Sequence, residues 1–325
     1  MSSNILDKII ENLKNTKQEI KIILPEGKNA KIQNVAKKFK GLQVKPILIF
    51  DKESEITKNI KENFETFSID TFDKTEMLSK ILEKRKGKLE KVEAENLINQ
   101  RNYFSIMLLE MGYGHGVVGG IEYATKDIVK PTLQIIKKRS DVSLASSLFL
   151  MLKDNEKYIF TDCALNVDPT AEQLADITQL AIEASEVFLF ENPNVALLSY
   201  STMGSGIGAP ADKVRKTWDI LKERKLNNCV IGGDFQFDAA YNDEIREKKA
   251  PNSPMKKRAD IYVFPSLESA NIGYKIAQRL GGFTAAGPII VGLNKPVNDL
   301  SRGATENDIY NTIAITAFSA LKSIK

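Results

Sequence analysis

The stretch NDLSRGATENDI, residues 298–309, sets Asp299, Ser301, Arg302, Glu306 and Asp308 close together just after the apolar run GPIIVGLN. Thr305 to Asp308 has the [ST]-x-x-[DE] spacing of a capping box, so Thr305 is expected to start a helix with Asp308 at its third position. Asp299 and Ser301 fit a turn. Arg302 is not explained by capping. An arginine beside a helix N-terminus adds positive charge where backbone donors already point outward. A bound anion, or negative charge that develops during a reaction, would resolve that.

Two glycine-rich stretches could also hold ligands. SYSTMGSGIGAP, residues 199–210, follows the apolar segment VALL and precedes a helical pattern with Val214, Trp218 and Leu221. In an open α/β sheet this junction is where ligands bind. Glycines let backbone amides approach an anion, and hydroxyls add donors. Ser201, Thr202, Gly204 and Ser205 are therefore candidate substrate-binding residues, beside the plainer reading of a structural turn. The loop lacks GK[ST], so it is not a Walker A loop. The other stretch, GHGVVG at 114–119, matches GxGxxG, but about 20 positions on stand Arg139 and Ser140, with Asp141 the nearest acid, and the preceding segment looks as helical as stranded. It is read as a tight glycine-rich turn rather than a nicotinamide site.

Composition narrows the function further. The 325 residues carry 46 basic and 42 acidic side chains, a net charge of +4 too small to point to nucleic acid. His115 is the lone histidine, which removes HExxH zinc chemistry and leaves no Ser-His-Asp triad without it. In a glycine-rich setting it is read as structural. Cys163 and Cys229 are too few for a disulfide framework or a metal cluster. The N-terminus lacks the apolar core of a signal peptide, and no run reaches about 18 apolar residues. The reading is a cytoplasmic protein with reduced thiols, no membrane span and no metal.

These side chains need elements to place them. Residues 4–18 have helical spacing, IKIILPEG reads as a buried strand, NAKIQNVAKKF as a helix and VKPILIF as a second strand. The Lys- and Glu-rich segment 51–100 reads as solvated helical faces with a short strand at FSID. Strands are expected at SSLFLMLK, KYIFTDCALNV, VALLSYST, LNNCVIGGDFQFD, ADIYVFPS and PIIVGLN. Helices are expected at 170–190, 210–225, 235–248, 269–280 and 306–324, the last with Ile309, Ile313, Ala317 and Leu321 on one face. This alternation predicts two doubly wound α/β domains with mainly parallel sheets.

Several blocks in one order resemble the phosphate acetyltransferase (phosphotransacetylase) family: YFSIMLLEMG with KPTLQIIK, FTDCALNVDPTAEQLADI, LLSYSTMGSG, DFQFDAAY, IYVFPSLESANIGYKIAQRLGG and GPIIVGLNKPVNDLSRGATENDI. The likeness runs from about residue 80 to the C-terminus and is closer to the acetyl than the butyryl branch. It implies the reaction acetyl phosphate + coenzyme A ⇌ acetyl-CoA + phosphate, by direct attack of the thiolate in a ternary complex. It also implies an active-site cleft between the domains, a homodimer, and no cofactor, coenzyme A being a substrate. The domains would be residues 1–145 with about 303–325, and residues 146–302. Within the resemblance, Ser301 stabilises the transition state, Arg302 holds acetyl phosphate and Asp308 is the general base. Arg85, in EKRKGK, matches a substrate-binding arginine. Lys130 stands where the family carries a second one, and lysine keeps the charge but loses the bidentate fork. Met203, Ala304 and His115 replace residues that many members carry as Lys, Cys and Asp. Ala304 implies that a cysteine there is not needed for the chemistry. A butyryl-preferring enzyme, a non-catalytic coenzyme A-binding module and a dehydrogenase are the competing readings.

Overall fold

The computed structural model describes residues 5–324; residues 1–4, where the N-terminal reading begins, and Lys325 lie outside the described residues. The chain opens with α1 (Ile5–Asn15), β1 (Ile20–Leu24), α2 (Ala30–Lys37), β2 (Val44–Phe50), α3 (Lys58–Asn63) and β3 (Glu65–Ser68). Next come α4 (Thr75–Lys84), α5 (Lys91–Ile98), α6 (Arg101–Glu110), β4 (Gly116–Gly119) and α7 (Thr125–Ile135). The middle holds β5 (Ser146–Lys153), β6 (Glu156–Thr161), α8 (Ala171–Val187), β7 (Asn194–Leu198), α9 (Ala209–Arg224) and β8 (Val230–Phe235). It continues with α10 (Phe237–Tyr241), α11 (Asp243–Lys249), β9 (Ile261–Val263), α12 (Leu267–Arg279) and β10 (Thr284–Val291). The chain closes with β11 (Val297–Asp299) and α13 (Glu306–Ser323).

Two compact units result: one runs to Lys138 and resumes at Leu293, and the other is Arg139–Gly292. The chain thus re-enters the first unit well before residue 303. The reason is β11, which the sequence shows only as loop. It pairs in parallel with β4 (Val297 with Val117, Asp299 with Gly119), and the Asn294 side chain donates to the Ile136 carbonyl at 2.9 Å.

The first unit holds a parallel sheet in the order β11-β4-β1-β2-β3. Successive strands step from β1 to β2 and β3, then jump back to β4 on the other side. The switch between β1 and β4 is where such sheets leave a crevice at their C-terminal edge. Helices cover the strands, so β1 reads as the near-continuous apolar run IKIIL. Met77, Ile81, Phe104, Met107 and Ile128 build a core on one side. α13 is buried almost all round between Asn311 and Phe318, not only along the Ile309, Ile313 and Ala317 stripe, and Leu321 is half-buried.

GHGVVG is not a turn. Its Gly116–Gly119 portion is β4, inside the sheet. A Cβ on Gly116 would lie 2.7 Å from Thr316 Cγ2, so glycine there admits α13 onto the strand backbone. His115 continues the pairing with β1: its N–H donates to the Lys21 carbonyl at 2.8 Å, and its Nδ1 accepts the Lys21 N–H at 2.9 Å. Burial and the Lys21 charge hold the imidazole below its usual range, consistent with a neutral, structural ring.

The second unit holds a six-stranded sheet, β10-β5-β6-β9-β7-β8. β6, β9, β7 and β8 run parallel, while β5 and β10 add antiparallel partners at one edge. β5 and β6 form a hairpin turning through Asp154, which takes φ 51°. The helix expected over 235–248 is two, because extended Asn242 interrupts it and caps α11 by accepting the Ile245 N–H at 3.1 Å. Among the described residues no helix is long and apolar enough to cross a membrane.

Candidate active site

Ser301 and Arg302 lie on the short connection from β11 to α13, at the C-terminal edge of the first unit's sheet, and Asp308 lies in the first turn of α13. The backbone there is pinned at several points. Leu300 N–H donates to the Gly119 carbonyl at 2.8 Å, and Lys31 Nζ, from the first turn of α2, donates to the Ala304 carbonyl at 3.2 Å. Between these pins Ser301 and Arg302 are exposed. Ser301 Oγ accepts the Gly303 N–H at 3.3 Å, and no hydrogen bond or ion pair among the described residues engages the Arg302 guanidinium. A free guanidinium beside a helix N-terminus is a ready anion site.

The expected capping box is present. Asp308 N–H donates to Thr305 Oγ1 at 3.2 Å, while Asp308 Oδ2 accepts both the Thr305 N–H at 2.9 Å and the Thr305 hydroxyl at 2.7 Å. Asp308 is half-buried, with Oδ2 fully engaged, so any proton it takes from a substrate falls to Oδ1.

The other candidates lie on other elements. Arg85 closes α4, whose last turn is tied to the end of α6 by the Lys84–Glu110 ion pair at 2.6 Å. Lys130 is exposed on α7 and has no hydrogen bond or ion pair among the described residues. Neither residue bonds to the Ser301 connection.

In the second unit, the loop after β7 turns inward on itself. Ser201 and Thr202 are buried; Ser201 Oγ accepts the Gly206 N–H at 2.9 Å, and Thr202 Oγ1 accepts the Gln236 N–H at 3.0 Å. Ser205 Oγ accepts the Thr202 N–H at 3.0 Å. Gly204 N–H donates at 3.1 Å to Asp234, a buried carboxylate that Arg215 also meets at 3.2 Å. An internal carboxylate therefore occupies the donor that was expected to face a bound anion.

The first unit also buries two carboxylates: Glu26, which the sequence reading did not single out, and Asp299, which it read as a turn residue. Glu26 follows β1 and accepts backbone N–H groups from Gly120 and Glu122; burial pushes its carboxyl up to about 7. Asp299, 2% exposed, ends β11. Its Oδ2 accepts the Thr125 hydroxyl at 2.7 Å, its Oδ1 is buried with no side-chain or backbone partner found among the described residues, and burial raises the carboxyl to about 6. The only local sign was an acid directly after an apolar run. Cys163 is fully buried, its Sγ donates to the Phe160 carbonyl at 3.4 Å, and burial holds the thiol well above its usual range, so it is no candidate nucleophile. Among the described residues no group of three or more His, Cys, Asp and Glu is placed to hold a metal ion.

Two α/β units, one carrying a serine–arginine connection at its sheet's C-terminal edge, define an α/β enzyme of the anion-handling kind. The phosphate acetyl/butaryl transferase family model matches residues 4–317, and the chain belongs to that family. It is 43% identical to a phosphate acetyltransferase of Mycoplasma capricolum over 95% of this chain and 97% of that one. A phosphotransacetylase structure from Streptococcus pyogenes superposes with TM-score 0.90 at 40% identity, covering 98% of each chain. The EutD phosphotransacetylase from Staphylococcus aureus gives TM-score 0.88 at 39% identity, over 98% of this chain and 100% of that one.

Proposed function

We propose that this chain transfers acetyl groups reversibly between acetyl phosphate and coenzyme A, releasing phosphate. The observation that carries the reading is the Ser301–Arg302 connection. Its backbone is fixed on both sides, while the Ser301 hydroxyl is exposed with its proton uncommitted and the Arg302 guanidinium has no bond among the described residues, both beside a helix N-terminus. Relatives at about this identity are named for the same activity.

In the proposed step, the coenzyme A sulfur attacks the carbonyl carbon of acetyl phosphate. A tetrahedral oxyanion forms, the carbon–oxygen bond to phosphate breaks, and acetyl-CoA and phosphate leave. Arg302 neutralises the phosphate and Ser301 donates to developing negative charge; one such donor is typically worth about 10²–10³ in kcat. Asp308 Oδ1 takes the thiol proton. Moving a proton from an ordinary thiol to an ordinary carboxylate is uphill by about 6 kcal/mol. Stabilisation of the thiolate by Arg302 and the α13 N-terminus lowers that cost. Arg85, at the end of α4, and Lys130, on α7, suit phosphate groups of coenzyme A or the incoming acetyl phosphate. The second unit's loop, with its donors turned inward, is proposed to contact substrate through exposed Gly204 and Ser205 rather than through Ser201 and Thr202.

The second unit also carries an apolar groove of about 660 Å³ lined by Tyr200, Phe237, Tyr241, Tyr262, Phe264 and Ile276. An aromatic groove of this size on one chain fits a homodimer contact. The free thiols Cys163 and Cys229 suit a reducing compartment, and the cytoplasm is the one proposed.

The test is thioester absorbance with purified protein, coenzyme A, and acetyl or butyryl phosphate. Faster turnover of acetyl phosphate is expected, and absence of acetyl-CoA formation would remove the reading. One or two methylenes are worth about 1–3 kcal/mol in an acyl pocket, so the two substrates are readily told apart.

A further inference from the structure

Gly120, just past β4, is gripped from two sides. Its N–H meets the Glu26 carboxylate at 2.9 Å on Oε1 and 3.2 Å on Oε2, and the same Oε1 accepts the Glu122 N–H at 2.9 Å. On the other side stands Asp299. A Cβ on Gly120 would fall 2.3 Å from Asp299 Oδ1 and 2.5 Å from the Leu300 carbonyl, and Gly120 takes φ +129°, so the position admits only glycine. One residue earlier, the Gly119 carbonyl receives the Leu300 N–H. Ser301 and Arg302 are the next two residues.

We propose that Glu26, braced by Asp299 across Gly120, is a positioning residue for acyl transfer: it fixes the turn that in turn fixes where Leu300 delivers Ser301 and Arg302. This rests on the acetyl-transfer reading above. Glu26 is fully buried, and its hydrogen bonds are to backbone N–H groups. Arg101, close enough to attract it, is bonded instead to Asp51 at 3.3 Å and Glu122 at 3.5 Å. A buried carboxyl without a bonded cation is costly to keep. Gly120 is buried, so its N–H has no water to turn to and needs an acceptor from the chain. What Glu26 adds is a fixed acceptor between β1 and β4, at the switch point of the sheet. Its carboxyl holds a proton until near neutrality, and a proton on Oε2 leaves Oε1 accepting. Oε1 takes both the Gly120 and the Glu122 N–H, so the grip depends on where that atom stands.

Reacting groups tolerate little displacement, and about 1 Å can cost roughly 100-fold. Glu26→Gln keeps an oxygen at the Oε1 position. Glu26→Asp keeps the charge but withdraws the acceptor by one methylene. Both are compared with wild type for kcat and KM, after circular dichroism confirms folding at the assay temperature. Glu26→Gln is expected to stay within about threefold of wild-type kcat, and Glu26→Asp to lose about 10–100-fold in kcat with far less change in KM. A folded Glu26→Asp with wild-type kcat overturns the proposal, as does an equal loss in Glu26→Gln. Should Glu26→Asp fail to fold, Thr125→Val carries the test, since it frees Asp299 Oδ2 from an exposed hydroxyl. A drop in kcat supports the brace, and unchanged kcat overturns it. Wild-type protein that makes no acetyl-CoA would sink the underlying reading instead, so the two failures are distinct.

Discussion

Asp308 has one observed job, the cap, and one proposed job, and substitutions can separate them. As a cap it holds the Thr305 N–H and hydroxyl; as the proposed base it needs only a free Oδ1. Asp308→Asn keeps an oxygen able to accept the Thr305 N–H, so stability is expected to fall by no more than about 1 kcal/mol. Turnover should fall about 100-fold or more with little change in KM, as for loss of a general base. Thr305→Val is the mirror case: about 1 kcal/mol less stable, read as a lower Tm, with kcat largely kept. Near-wild-type turnover in Asp308→Asn would leave only the cap. Lys130 gives a second test. It is exposed and unpaired on α7, so Lys130→Arg restores a bidentate fork without disturbing a contact. KM for acetyl phosphate is expected to fall, and a rise measured in the same assay would contradict the role.

At the scale of elements, β4 shows how much was legible and why the rest was not. Long periodic segments such as 170–190, 210–225 and 306–324 matched α8, α9 and α13, because an apolar stripe records its own buried face. The capping box was legible for the same local reason. GHGVVG was not, because what requires its glycines is distant in sequence: Thr316 of α13 against Gly116, and Ile23 of β1 against Gly114. Glu26 and the burial of Asp299, which the sequence suggests only as a turn residue, were missed likewise, since a single buried acid leaves no period to detect. Gly116→Ala tests the reading of β4. Its methyl group would stand 2.7 Å from Thr316 Cγ2 and 3.2 Å from Ile22 Cδ1, flanked by strands on both sides. Overpacking of that kind costs about 1–3 kcal/mol, so a clear drop in Tm is expected. An unchanged Tm would mean that α13 sits less tightly on the strand.

For the whole molecule, stability against pH and assembly are the properties at stake. Burial raises Glu26 from 4.5 to about 7 and Asp299 from 3.8 to about 6. Between the unfolded and folded values the folded chain holds more protons, so these groups favour folding most at the acid end, and that contribution is lost as pH rises through 6 to 7. Glu26→Gln removes one of them. Its Tm relative to wild type should therefore move upward between pH 5 and pH 8, and a constant difference would contradict the burial effect. Assembly turns on the second unit. Ile272 and Ile276 project from α12, Leu280 follows at 86% exposure, and Tyr200, Phe237 and Tyr241 are exposed beside the groove. The Tyr262 hydroxyl is buried with no hydrogen-bond partner among the described residues. A lone chain in water would leave this apolar face hydrated, and a second copy would cover it through a two-fold, self-complementary contact. Sedimentation at micromolar concentration is expected to give a dimer for wild type and a monomer for Ile276→Asp, which sets a charge in the middle of the face. Because the groove is built wholly from second-unit residues, the Ser301 connection should stay folded in that monomer. A monomeric wild type, or a dimer that survives Ile276→Asp, would place the contact on another surface.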